Sequence, residues 1–168
     1  MTDTNHTNTD SEPDWVRNSQ PPASRDEVTA DSPYTLPGFF DALTDGNLLG
    51  VRCTDCETHL VPPRTACYAC GSRDVRLEEQ PREGVVYSYT QVRVPASGFA
   101  SLAPFTVAIV ELESGARLTG RLAVPYEDAS IGMPVRLTVQ EPTDAEREAA
   151  LSYETDWPLH VFEATPQE

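Results

Sequence analysis

The feature that most constrains this chain is the spacing of its cysteines. There are four, in two identical pairs, Cys53-Thr-Asp-Cys56 and Cys67-Tyr-Ala-Cys70, with ten residues between the pairs. Two Cys-x-x-Cys turns joined by a short hairpin present four thiolates to one tetrahedral ion. The spacing predicts structural zinc held by Cys53, Cys56, Cys67 and Cys70, with iron in the same sulfur set as the chemical rival. A redox Cys-x-x-Cys belongs ahead of a helix in a βαβ unit, a setting that the sequence does not offer. Four protein ligands leave no open coordination position, so the metal is expected to replace a core too small to form alone. Gly71, directly after Cys70, supplies the positive φ that a second knuckle needs. Between the pairs, Val61-Pro62-Pro63-Arg64 reads as a stiff extended arm of the ribbon.

The surrounding sequence divides by pattern. Residues 1–33 are polar and rich in Thr, Asp, Ser and Pro, and read as a disordered acidic arm. Within it, Trp15-Val16 is a candidate docking spot, weighed against a stray aromatic in a tail. Residues 34–80 read as a helix plus the zinc ribbon. Phe39, Phe40 and Leu43 fall at helical spacing, and Asp45-Gly46-Asn47 tolerates a left-handed cap. So short a helix needs a surface to pack on, either the rest of this chain or another protein.

From residue 81 to 164 the period becomes two. Gly84–Val94 predicts a long strand with Val86, Ser88, Thr90 and Val92 on one face and Val85, Tyr87, Tyr89 and Gln91 on the other. Pro104–Leu112 reads as a strand buried on both faces, Arg117–Val124 as a third and Met133–Gln140 as a fourth. Gly120, inside the third, signals a bend or a close backbone approach. A short helical turn is expected at Tyr126–Ser130. Thr143-Asp-Ala-Glu146 is a capping box opening a helix over about 143–151, and Trp157–Phe162 is a last strand. Residues 165–168 form a tail. Five strands with a crossover between the third and fourth predict a mainly β protein whose barrel is a five-stranded OB-fold.

Charge is uneven. All twelve basic residues are arginine, and the formal net charge is −15. Residues 1–36 carry seven acids and two arginines, and 141–168 carry eight acids and one arginine. The middle, with twelve acids and nine arginines, is nearly balanced. This composition points to an intracellular protein adapted to high salt, against the plainer reading of an ordinary acidic protein with arginine-rich codon usage. No run approaches the roughly 20 apolar residues of a membrane span. The N-terminus shows no secretory pattern, so a cytoplasmic location is expected.

No catalytic constellation is legible. His6 lies in the arm, His59 reads as a surface-loop residue between the cysteine pairs, and His160 as a half-exposed strand residue. Arg93, Arg117, Arg121 and Arg136, with Tyr87 and Tyr89 nearby, would suit single-stranded nucleic acid on a barrel face. Set against that, they are solvent-facing residues that balance the acids.

One ordered series of motifs goes further than any single piece. It runs Phe39-Phe40-Asp-Ala-Leu43, Asp45-Gly46-Asn47-Leu48, Arg52-Cys53-Thr-Asp-Cys56, Pro62-Pro63-Arg64, Cys67-Tyr-Ala-Cys70-Gly71 and Gly84-Val-Val-Tyr87-Ser-Tyr89-Thr90. It continues through Ala108–Leu112, Arg117-Leu118-Thr119-Gly120 and Ile131–Val135. This series, over about Pro37 to Val139, resembles the proteins catalogued as domain of unknown function 35: a rubredoxin-like zinc ribbon followed by an OB-fold. The resemblance implies a non-catalytic accessory or scaffold subunit of an acyl-CoA enzyme. An example is a complex joining acetoacetyl-CoA thiolase to hydroxymethylglutaryl-CoA synthase; other relatives accompany thiolase-like aldolases or acyl-CoA hydratases. It implies a hetero-oligomer, structural zinc, CoA or acyl-CoA shared with the partner, and, together with the acidity, a haloarchaeal source. The acidic arm and the helix near 143–151 depart from the family pattern.

Overall fold

Thr35 starts the first regular element. Its backbone is extended, its hydroxyl accepts from the Gly38 amide, and a proline occupies the first turn of α1 (Leu36–Thr44). The helix ends in paired bonds from the Gly46 and Asn47 amides to the Leu43 and Ala42 carbonyls, with Gly46 at φ 89°. These details belong to a computed structural model that describes residues 27–150 and 156–166, together with Trp15 and Pro21.

The ribbon is a three-stranded antiparallel sheet, ordered β2-β1-β3, of β1 (Leu49–Cys53), β2 (His59–Leu60) and β3 (Val75–Glu79). Its core is small: Leu49, Val51, Leu60, Val75 and Leu77 with Cys53 and Cys67. Strand β3 is absent from the sequence reading, although Val75-Arg-Leu77-Glu alternates as a half-buried strand should. The proline segment is corrected. Only His59–Leu60 pairs with β1, after which Val61 leaves the ribbon and enters the barrel core. His59 is likewise corrected from loop to strand, opposite Arg52.

The barrel closes in the order β4-β5-β6-β8-β7, from β4 (Glu83–Val92), β5 (Phe105–Leu112), β6 (Arg117–Leu122), β7 (Pro134–Gln140) and β8 (Leu159–Ala164). Strand β4 pairs with β5 along its length and with β7 through Glu83–Val85; β6 and β8 run parallel. This is the OB-fold arrangement expected from the pattern. Gly84 pairs with both Leu112 and Val135, and a Cβ there would lie 2.4 Å from the Glu111 carbonyl oxygen, so closure at this point requires glycine. The first-strand faces are corrected by a bulge between Val86 and Ser88. Val86 points inward, but beyond the extra residue Tyr89 packs against the core while Ser88 and Thr90 are exposed. Strand β5 is also less buried than expected: Thr106, Ala108, Val110 and Leu112 face in, and Ile109 faces out.

Helix α1 joins the two units. Phe39 and Leu43 enter the barrel core beside Leu48, Val110, Leu137 and Phe162, while Ala42 leans on the ribbon core with Tyr34 and Trp15. The required packing surface is therefore in this chain. Trp15 is not a stray aromatic, since it is half-buried on the ribbon; Val16 and the rest of the arm before residue 27, apart from Pro21, lie outside the described residues. Residues 27–33 form turns against α1, where a Cβ on Gly38 would lie 2.2 Å from the Ser32 carbonyl oxygen. The last expected helix is α2 (Asp144–Ala149), with both bonds of the Thr143–Glu146 capping box formed. The turn at Tyr126–Asp128 is a single 3-10 turn.

Candidate metal centre and adjoining cleft

The two knuckles are built alike. In the first, the Glu57 amide donates to the Cys53 carbonyl and the Cys53 amide to the Thr58 carbonyl. In the second, Gly71 donates to Cys67 and Cys67 to Ser72. Each turn places its residue after the second cysteine at positive φ: Gly71 at 77° and Glu57 at 60°. The glycine is legible in the sequence and its non-glycine counterpart is not, because nothing about a glutamate announces left-handed backbone.

These turns bring the four sulfurs together, all within 4.8 Å of one another. Cys53 lies 3.6 Å from Cys70, and Cys56 3.6 Å from Cys67. A tetrahedron with metal–sulfur bonds of about 2.3 Å has edges of about 3.8 Å. The donor set therefore fits a four-thiolate zinc site, with Cys53 and Cys67 on the buried side and Cys56 and Cys70 on the exposed side. Without a cation the thiols divide. The Thr58 hydroxyl, 3.2 Å away, then the Thr58 amide and the Cys70 thiol, pull Cys56 down to about 6. At Cys70 the Ser72 amide lowers the value, but Cys56, burial and the other thiols outweigh it and push it up to about 12. A thiolate at Cys56 beside a Cys70 thiol that resists ionising suits a divalent cation, which stabilises the charged form of both. His59 stays in the ribbon sheet, its Nδ1 3.9 Å from Glu78, and does not belong to the sulfur cluster.

The barrel arginines are committed elsewhere. Arg117 pairs with Glu111 at 3.0 Å and lies 3.6 Å over the Tyr87 ring. Arg136 pairs with Glu83, Arg121 with Glu146, and Arg93 donates to Gln91. A face on which three of these four cations are paired with carboxylates offers little to a phosphate backbone, which favours the charge-balancing reading over the nucleic-acid one.

Topology assembles one feature that no local pattern announced, a cleft of about 620 Å³ beside the ribbon. Leu36 and Phe40 of α1 form one wall, and Phe105, Leu118 and Arg121 of β5 and β6 another. Phe99, from the 3-10 turn Ser97–Leu102, and Glu146 and Ala150 of the α2 segment frame its far side. Trp157 stacks on Phe40 with centroids 4.5 Å apart, and Arg64 stands at the ribbon edge. His160 also lines it: its Nε2–H donates to the Thr119 carbonyl at 2.7 Å, and burial holds its pKa below the ordinary value. Glu146 ties α2 to the barrel, one oxygen accepting from the Thr143 amide and hydroxyl, the other from Arg121. Partial burial alone would raise its pKa, yet the Thr143 bonds and Arg121 hold it below the usual carboxylate value.

A small ribbon with four clustered cysteines leading into a five-stranded OB barrel defines a two-part zinc-ribbon and OB-fold protein. Two family models match in tandem: the rubredoxin-like zinc ribbon domain of ChsH2 over residues 40–76, and its C-terminal OB-fold domain over 77–140. A DUF35 domain-containing scaffold protein of Methanocaldococcus jannaschii is 37% identical over 109 residues, which is 63% of this chain and 77% of that protein. The chain belongs to the DUF35 family. A probable enoyl-CoA hydratase alpha subunit of Thermomonospora curvata is 37% identical over 100 residues, 59% of this chain but only 31% of that subunit. Among solved structures, a chain described as Ltp2-ChsH2(DUF35) aldolase is 32% identical with TM-score 0.57, covering 76% of this chain and 91% of that one. Among the described residues no helix is long and apolar enough to cross a membrane.

Proposed function

We propose that the chain is a non-catalytic accessory subunit of an acyl-CoA-processing enzyme complex. The observation that carries this is the company its relatives keep: one is named a scaffold protein, one an enoyl-CoA hydratase subunit, and one an aldolase assembly. In this reading the four cysteines hold zinc with no vacant position, so the metal stiffens the ribbon and carries out no chemistry. The helix and ribbon of residues 34–80 dock a cytoplasmic partner from the thiolase superfamily or an acyl-CoA hydratase, and the barrel of residues 81–164 helps enclose the CoA arm. The acidity fits assembly at high salt.

Co-expression with such an enzyme at molar potassium chloride tests the reading. The expected result is stable co-elution and an enzyme active only when the chain is present. An enzyme fully soluble and active alone, with no co-elution, overturns it.

A further inference from the structure

The cleft beside the ribbon occupies the side of the barrel on which OB-folds take ligands, the face of the second and third strands between the first and last loops. Here those loops are the Ser97–Leu102 turn and the α2 segment, and the strands contribute Phe105, Leu118 and Arg121. The volume of about 620 Å³ falls within the roughly 300–1,000 Å³ of small-molecule sites. Its walls are mostly apolar and aromatic. The polar groups that reach it are largely spoken for, with Arg121 paired to Glu146 and His160 bonded to the Thr119 carbonyl. The exceptions are the Thr119 hydroxyl and Arg64, and Arg64, the one charged group of the two, has no hydrogen bond or ion pair among the described residues. Such a site offers few hydrogen bonds to a sugar or a peptide backbone. It offers a greasy hollow with one unpaired cation at its edge, in a chain that is strongly acidic as a whole.

We propose that this cleft binds an amphiphilic anion: an unbranched apolar chain ending in a carboxylate or similar negative group, with the chain against Phe40, Leu118 and Trp157 and the anion at Arg64. The ion pair between Arg121 and Glu146 holds α2 across the far side, so the ligand enters from the ribbon edge. This inference does not rest on the scaffold reading. Ligand binding is read on the isolated full chain, and partner assembly on co-elution, so either can fail alone.

Trp157 supplies the readout. The sequence has two tryptophans, so Trp15→Phe leaves the one that lines the cleft. The probes are laurate, 1-dodecanol and coenzyme A without an acyl group, each below its aggregation limit. Laurate is expected to change Trp157 emission saturably, and dodecanol to need a concentration roughly ten-fold higher. Arg64→Glu, at an exposed position, should weaken laurate by about ten-fold and leave dodecanol unchanged. Ala150→Phe should block both probes, and Thr119→Phe, on the exposed side of β6, is the second block should the first fail to fold. No saturable response to laurate, or a response unaltered by the folded blocking variant, overturns the site. Equal affinity for laurate and dodecanol, or indifference to Arg64→Glu, overturns its anionic class. Coenzyme A competing as well as laurate overturns the apolar-chain assignment.

Discussion

The ribbon and the barrel solve the same problem with different means. The barrel core draws on five strands and the helix, and its largest buried side chains, Phe39, Phe162, Leu43 and Leu137, contact one continuous cluster. The ribbon's hydrophobic cluster has seven buried residues, two of them cysteines of the sulfur site, and borrows Tyr34, Ala42 and Trp15 to cover one face. One unit is held by buried area and strand closure; the other is too small for that and is built for cross-linking through a metal at its four cysteines. Helix α1 belongs to both cores, with its aromatic side committed to the barrel. Losing the ribbon should therefore not release the helix.

Metal removal is the strongest way to break this comparison, since structural zinc contributes roughly 10–16 kcal/mol in small zinc domains. Chelation, or Cys53→Ser, is expected to abolish hydrogen-exchange protection in β1 and β3 around Val51 and Val75. Amides of α1 and of the barrel strands should stay protected. Loss of protection across the whole chain would show that the barrel cannot hold α1 alone, and the two-core description would fall.

The opposite perturbation is Phe162→Ala. Phe162 is fully buried at the meeting of β6, β7 and β8, and its truncation should cost about 3–5 kcal/mol in denaturant unfolding, with stoichiometric zinc retained below the transition. Next in size is Gly120→Ala. The new Cβ would sit 2.9 Å from the Phe162 ring and 3.2 Å from the His160 carbonyl oxygen, an overpacking cost of about 1–3 kcal/mol. A neutral result would mean that β8 shifts freely against β6.

These positions also show where sequence reading succeeds. The approach of the two cysteine pairs, the placement of the five barrel strands and the capping box are local signals, and each matches what is built. Gly120 was legible as a close approach because a glycine weakens the interior of a strand and is kept there where a neighbour leaves no room for a side chain. The bulge at Val86/Ser88 was not, since one extra residue leaves the alternation looking intact while exchanging its faces. Nor was the cleft, whose walls come from α1, the linker after β2, three barrel strands and both loops; no window of sequence contains them together. Arg64 reads locally as part of a stiff arm, and only the departure of Val61 into the barrel core sets it at a ligand-sized hollow.

Within the ribbon the two knuckles allow a finer test. Both carry a residue at positive φ, but only Gly71 is suited to it; Glu57 holds φ 60° at a cost of about 1–2 kcal/mol and is tied to Arg52 on an exposed face. Gly71→Ala should therefore destabilise the metal-loaded ribbon by about 1 kcal/mol, whereas Glu57→Gly should be neutral or slightly stabilising despite the lost ion pair. Zinc-release midpoints under competing chelator measure both. If the two substitutions moved them in the same direction, the equivalence of the knuckles would fail.

The smallest expected effect lies on the barrel side, at His160. Burial disfavours its charged form, and the bond to the Thr119 carbonyl only partly opposes this, so the folded-state pKa lies below the ordinary 6.5. The unfolded chain then binds the proton more readily, and stability rises with pH across the interval between the two values. The contribution is fully present above about 6.5 and is lost as pH falls through the folded-state pKa. The groups around the imidazole are Phe40, the Thr119 carbonyl and Gly120, and the cations of the same cleft, Arg121 and Arg64, offer nothing to stabilise a second positive charge. His160→Gln keeps a donor for Thr119 and removes the titration. Barrel unfolding should thus show wild type losing stability relative to this variant as the pH is lowered from neutrality through the folded-state pKa, in zinc-loaded and chelated protein alike. A pH difference that disappears with the metal would transfer the effect from the barrel to the thiolates of the ribbon.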